Sequence, residues 1–234
     1  LGLGSRYFED DREFEDTGGV TKASFDNLSS KVYLSFALND EANAYLSVSE
    51  GFRSGGANIS AAPVGSYDPE TLISYELGIK ASLMEKRLNA EISLFLSDYN
   101  DFQADVFDPA TAIQYTQNPG KAEVKGIEWA IQWAGSERLL VGFSGNITDG
   151  EFTEINTVPS TQLVGDPLDF VPEYSYSLNA EYSFNWSDTV PGFTRIAYNR
   201  QGKNSTVNRT AGLAQSVFHS EPVDFLNAHL VMEW

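Results

Sequence analysis

The sequence predicts an all-β protein, an antiparallel transmembrane β-barrel segment of about ten strands, and three observations predict it. Apolar and polar residues alternate strictly over stretches of about eleven residues, close to the ~9–11 that a tilted strand needs to cross a bilayer. Short turns and long polar links follow one another in regular exchange. No apolar run approaches the ~20 residues of a transmembrane helix, which excludes a helical membrane protein.

One strand is expected at the N-terminus, then Val32–Leu38 and Ala44–Gly51. From Ile73 to Leu83 one face carries Ile73, Tyr75, Leu77, Ile79, Ala81 and Leu83. The other carries Ser74, Glu76, Gly78, Lys80 and Ser82, a separation that a helix would scramble. Strands follow at Leu88–Tyr99, Ala122–Trp133 and Leu139–Thr148. Tyr174–Phe184 repeats the strict rule, and Phe193–Arg200 and Phe225–Trp234 complete the set. Within Ala122–Trp133 the apolar phase shifts at Gly126-Ile127, which predicts a bulge there.

Short links fall at Asn39–Glu41, Met84–Arg87, Gly135–Glu137 and Asn185–Gly192. Long links, rich in Gly, Pro, Asp, Asn and Ser, fall at Glu9–Thr21, Arg53–Pro69, Asn100–Pro119, Gly150–Leu168 and Gln201–Pro222. Short turns at one rim and long loops at the other are the layout of an outer-membrane barrel. Trp129, Trp133, Tyr174, Tyr176, Tyr182 and Trp234 fall on apolar faces, as expected of rings at the headgroup level with a wet polar atom.

Composition removes several function classes. The 234 residues carry Asp+Glu 33 against Lys+Arg 15, a net charge of -18, so phosphate backbones are repelled and no nucleic acid is expected as partner. With Cys 0 there is no disulfide, iron–sulfur cluster or thiolate metal site. His219 and His229 are the two histidines, too few for a multi-histidine metal centre. Neither a Gly-x-Ser-x-Gly elbow nor a His-Glu-x-x-His pair occurs, so no catalytic residues, no metal site and no cofactor are expected. The acidic run Glu9–Asp16 lacks calcium-loop spacing and reads as a solvated loop. The N-terminus has no Met and no signal-peptide pattern, and the last strand stops without a turn, which predicts truncation at both ends.

Four ordered stretches carry a family resemblance. They are Ala44–Asn58, containing Gly51-Phe52-Arg53-Ser54-Gly55-Gly56; Asp68–Lys80, containing Pro69-Glu70-Thr71 and Tyr75-Glu76-Leu77-Gly78; Arg87–Gln103; and Asn118–Glu128, containing Gly126-Ile127-Glu128. In this order they resemble the barrel region of TonB-dependent outer-membrane receptors. The resemblance implies a bacterial outer-membrane barrel of twenty-two strands with a plug in its lumen, of which residues 1–234 would be one part, lacking the plug and the barrel ends. It implies a transporter, not an enzyme, for energy-coupled uptake of a scarce ligand. The implied cargo is a ferric siderophore, with cobalamin, a saccharide or another bulky nutrient as the alternatives, and the implied partners are the TonB–ExbB–ExbD energy-coupling system, acting through the plug, and outer-membrane lipid.

Within the motifs, Gly51, Phe52, Gly55, Gly56, Glu76, Gly78, Gly126 and Glu128 are expected to be structural. Glu76 and Lys80 are expected to pair across strands or with the plug. Ligand contact is expected from loop-side rings and cations: Arg53, Tyr67, Phe107, Tyr115 and Arg209. A passive porin or adhesin barrel and a soluble all-β binding domain are the rival readings, since a barrel by itself specifies no activity.

Overall fold

The computed structural model describes residues 1–108, 111–156, 162–208 and 216–232. In chain order the strands are β1 (Gly2–Asp16), β2 (Gly19–Ala37), β3 (Ala42–Arg53), β4 (Gly56–Ala57), β5 (Ser66–Tyr67), β6 (Glu70–Leu83), β7 (Leu88–Asn100) and β8 (Ala104–Asp108). They continue with β9 (Ile113–Gln117), β10 (Gly120–Ala134), β11 (Leu139–Ile155), β12 (Tyr174–Ser187), β13 (Val190–Gln201), β14 (Ser205–Asn208), β15 (Ser216–His219) and β16 (Val223–Met232). No helix occurs among the described residues.

Ten long strands form one antiparallel meander, β1-β2-β3-β6-β7-β10-β11-β12-β13-β16. β1 and β16 are its two edges, so the sheet is open. The six short strands pair as three hairpins, β4-β5, β8-β9 and β14-β15, each within a long link.

The two faces of the sheet invert the usual burial rule. Tyr45, Ser47 and Ser93 are buried on one face, while Leu77, Leu94, Ile92, Leu178 and Ile196 are among the exposed side chains of the other. Leu77 and Leu94, opposite each other in register, are 54% and 51% exposed, and a row of such residues is stable only against hydrocarbon. The polar face is therefore the lumen wall. There the Tyr45 hydroxyl donates to Glu76 at 2.5 Å and to Glu91 at 3.0 Å, Lys80 pairs with Glu91 at 3.0 Å, and Tyr33 stacks on Tyr45 at 5.7 Å.

Two motif glycines make room on this wall. A Cβ at Gly78 would lie 2.5 Å from the Tyr45 ring, and one at Gly126 would lie 2.2 Å from the Ile147 carbonyl oxygen and 2.8 Å from the Phe95 ring. Aromatic rings thus lie flat across cross-strand glycines, a packing that a side chain would block.

Three expectations are corrected. The link at Glu9–Thr21 is not a long loop: β1 and β2 pair without interruption from Gly2↔Tyr33 to Asp16↔Gly19. The acidic run therefore lies on a strand. β2 pairs β3 only from Lys31 to Ala37, so the rest of the hairpin rises above the sheet as a ribbon, where alternate charges meet water at little cost.

The bulge is also displaced. No register shift occurs at Gly126-Ile127; the irregularity in β10 falls between Lys121 and Ala122. The apolar phase changes because the strand serves two apolar surroundings on opposite faces. Ala122 and Val124 pack inward on Phe152 and Leu168, whereas Ile127, Trp129, Ile131 and Trp133 share the lipid-facing side.

Trp129 is the third correction. Its indole N–H is buried without a hydrogen-bond partner among the described residues, and its ring covers Gly145. It packs rather than anchoring in water. Trp234 lies outside the described residues.

Candidate functional site

The long links are tied together at one rim by side-chain amides that imitate a backbone. Asn58 donates to the Thr116 carbonyl at 2.7 Å and accepts from the Thr116 N–H at 2.9 Å, joining the β3–β6 link to the β7–β10 link. Asn118 repeats this with Asp68, donating at 3.0 Å and accepting at 2.7 Å, and also donates to the Asp101 carbonyl at 2.6 Å. Gln103, 5% exposed, donates its amide to the carbonyls of Ser54 at 2.9 Å and Asp68 at 3.0 Å. Its own N–H donates to Glu70 at 2.7 Å. Each amide offers donors and an acceptor in one plane, which suits irregular chain that has no ladder of its own.

Glu70 is the buried acid of this assembly. Burial raises its pKa above the ordinary glutamate value, and the Gln103 N–H and the Arg53 charge oppose that rise. Beside it a small apolar core of Ala122, Phe152 and Leu168, joined by Tyr99, Phe102 and Val171, holds the β11–β12 link against the wall. The Leu168 N–H donates to the Gly150 carbonyl at 2.9 Å, and Phe102 meets Phe152 edge to face at 5.5 Å.

The β1–β2 ribbon leans on the same links. Arg12 donates to the Gly55 carbonyl at 3.3 Å, Ser54 donates to Asp10 at 3.0 Å, and the Ser60 N–H donates to Asp16 at 2.5 Å. Backbone donors from Ser60 and Gly18 hold the Asp16 carboxyl below its ordinary pKa, and the bond from Arg12 does the same for Asp10.

Of the residues expected to meet ligand, Tyr67 and Tyr115 are brought to neighbouring strands, β5 and β9, which run side by side. Tyr67 covers Gly56, where a Cβ would lie 2.4 Å from its hydroxyl. Tyr115 pairs in register with Val106, and burial, with the Asp108 charge second, raises its pKa. Phe107 lies on the opposite face of that hairpin, 54% exposed. Arg53 closes β3 opposite Glu70 and lines a crevice of about 650 Å³ between β3 and the ribbon, shared with Arg6, Phe8, Arg12, Lys31 and Phe52. Arg209 lies outside the described residues.

The motif residues have structural neighbours. Gly51 is covered by Leu72, Gly55 by Phe25 and the Tyr67 carbonyl, and the Phe52 ring stands 5.8 Å from Phe8. Glu128 lies opposite Ser93 on the lumen wall. Arg6, Phe8, Arg12 and Lys31 had no local signal, because the ribbon that places them resembles a loop in composition. Asn58, Gln103 and Asn118 stand inside the family stretches, yet nothing local distinguishes a lacing amide from an ordinary loop amide. Among the described residues no group of three or more His, Asp or Glu could hold a metal ion.

An open meander with short turns at one rim, laced links at the other and an apolar outer face is a section of an outer-membrane receptor barrel. The sequence matches the family "TonB dependent receptor-like, beta-barrel" over residues 1–228, and the chain belongs to that family, whose members are outer-membrane transporters and not enzymes. It is similar to the pesticin receptor of Yersinia enterocolitica, 26% identical over 192 residues, covering 79% of this chain and 27% of that receptor. Among solved structures it resembles the ferric yersiniabactin uptake receptor FyuA from Yersinia pestis, with a TM-score of 0.72 at 20% identity over 97% of this chain and 34% of that one. The siderophore receptor PiuA from Acinetobacter baumannii gives 0.69 at 17% identity over 97% and 33%. The chain thus spans about a quarter of the length of the curated relatives it matches, 27% in the case above.

Proposed function

We propose that this chain is one section of the barrel wall of a receptor for energy-coupled uptake of a ferric siderophore. The rest of the barrel and a plug would complete it, and the TonB–ExbB–ExbD system would act through the plug to release cargo inward. The observation that carries this reading is the laced outer rim above a polar lumen wall, in a chain that belongs to the family. A passive pore has no need of loops locked together by side-chain amides around a vestibule. Neighbours described as a ferric yersiniabactin uptake receptor and a siderophore receptor support an iron chelate as cargo. Arg53, Tyr67, Phe107, Tyr115 and Arg209 would meet ligand from the rim, and the exposed Leu77–Leu94 band would meet outer-membrane lipid.

Uptake of radiolabelled ferric siderophores by cells expressing the full-length gene tests this. Iron entry should be lost on deleting the gene and equally on deleting TonB. Entry that persists without TonB would make the barrel a passive porin.

A further inference from the structure

We infer that the β3–β6 and β7–β10 links form one cooperative lid with Gln103 as its keystone, which opens in a single step while the wall strands beneath it stay paired. The inference goes beyond the import reading and rests on the geometry of the rim alone.

Neither link has enough structure of its own to stay folded. The strands of hairpin β4-β5 are two residues long, and those of β8-β9 are five. An isolated two-stranded hairpin is marginal in water, so hairpins this short depend on what they lean against. They lean on each other, with β5 beside β9. Asn58 serves both links at once, donating to the Val64 carbonyl of its own at 2.9 Å and to the Thr116 carbonyl of the other at 2.7 Å.

Gln103 carries the rest of the junction. All its N–H donors cross to the neighbouring link and the first residue of β6. Its side-chain amide serves the Ser54 and Asp68 carbonyls, and its backbone N–H serves the Glu70 carboxyl. Gln103 and Ser54 are buried, so water does not stand in for these bonds while the lid is closed. Lifting either link removes the partners of the other, and the remaining short hairpin cannot persist. The free energy of opening is therefore shared between the links, which defines one unit of local unfolding.

The base of the lid is anchored separately. Arg53 pairs with Glu70 at the end of the β3–β6 ladder. The Phe102 N–H donates to the Gly120 carbonyl at 2.8 Å, and its ring meets Phe152 edge to face. Beside this anchor Asp101 holds a left-handed φ of 52°, which bends the chain where β7 gives way to the link. The β1–β2 ribbon touches the lid at Ser54 and Gly55 but has its own continuous ladder, so it does not belong to the unit. An entrance closed this way admits cargo in one opening event rather than loop by loop.

The test is native-state hydrogen exchange of the full-length receptor in detergent, followed by mass spectrometry, on the parent and on Gln103→Ala and Asn58→Ala. In the parent, the protected amides of β4-β5 and β8-β9 should share one protection factor, lower than that of β6, β7 and β10. Gln103→Ala should speed exchange about tenfold across both links, including the stretch closed by the Asn58 N–H on the Gly65 carbonyl, which Gln103 does not touch. Asn58→Ala should act reciprocally at the Gln103 N–H. Exchange in the wall strands and in the ribbon should not change. Unequal protection of the two links in the parent overturns the inference. So does an effect of Gln103→Ala confined to Ser54, Asp68 and its own position, or one that spreads into the wall. Heat-modifiable mobility on a gel reports folding, and if Gln103→Ala does not fold, Asn118→Ala is read in its place beside the parent measurement. Failure here leaves the import reading untouched, since TonB-dependent iron entry decides that separately.

Discussion

At the residue scale, Glu70 shows how one buried carboxyl serves loop order against its own solvation. Its Oε2 satisfies the buried N–H of Gln103, so Glu70→Ala leaves that donor orphaned and should cost about 1–3 kcal/mol in thermal or denaturant unfolding of the full receptor in detergent. Glu70→Gln keeps an acceptor and removes the buried charge, so it should cost far less. The pH signs of the rim carboxyls oppose each other. The folded pKa of Glu70 is raised, chiefly by burial, so its contribution is present below the ordinary glutamate value and is lost as pH rises through the folded one. Asp16 is held low by the N–H groups of Ser60 and Gly18, so its contribution is present above the ordinary aspartate value and is lost as pH falls. Melting curves of Glu70→Gln should lack the Glu70 decline with rising pH, and those of Asp16→Asn should lack the loss on acidification. A Glu70→Gln variant with the parent's pH profile would contradict the assignment.

At the element scale, strand pairing depends on where a glycine lets a neighbour cross. Gly78→Ala meets the far end of the Tyr45 ring, which can swing away at the loss of its bonds to Glu76 and Glu91, and should cost about 1–3 kcal/mol. Gly126→Ala meets the Ile147 backbone carbonyl at 2.2 Å, which can yield only by parting β10 from β11. It should be the more damaging of the two, read as loss of the heat-resistant folded band in the full-length protein. If Gly78→Ala proves the worse, the ring rather than the ladder controls this wall. The correction at Glu9–Thr21 has a plain physical cause. Composition marks charged strand as loop, because alternating acids above the membrane satisfy a pleated ribbon as readily as a solvated link.

At the scale of the whole molecule, the open edges of β1 and β16 and the exposed Leu77–Leu94 band require partners that water cannot replace. Residues 1–234 produced alone should aggregate in detergent-free buffer, as followed by light scattering. A monodisperse, cooperatively melting monomer there would contradict a membrane wall.

The strand periods, the exchange of short turns with long links and the family stretches were set by the sequence alone, because alternation on a two-faced strand is a local property. Local pattern also brought Arg53, Tyr67 and Tyr115 to notice as rim residues. Only the tertiary structure decided that Arg6 and Lys31 join Arg53 in one crevice, that Asn58, Gln103 and Asn118 lace separate links, and that Ala122 and Trp129 face opposite media. Those facts depend on register between strands far apart in the chain, and a one-residue slip would turn each side chain to the other face.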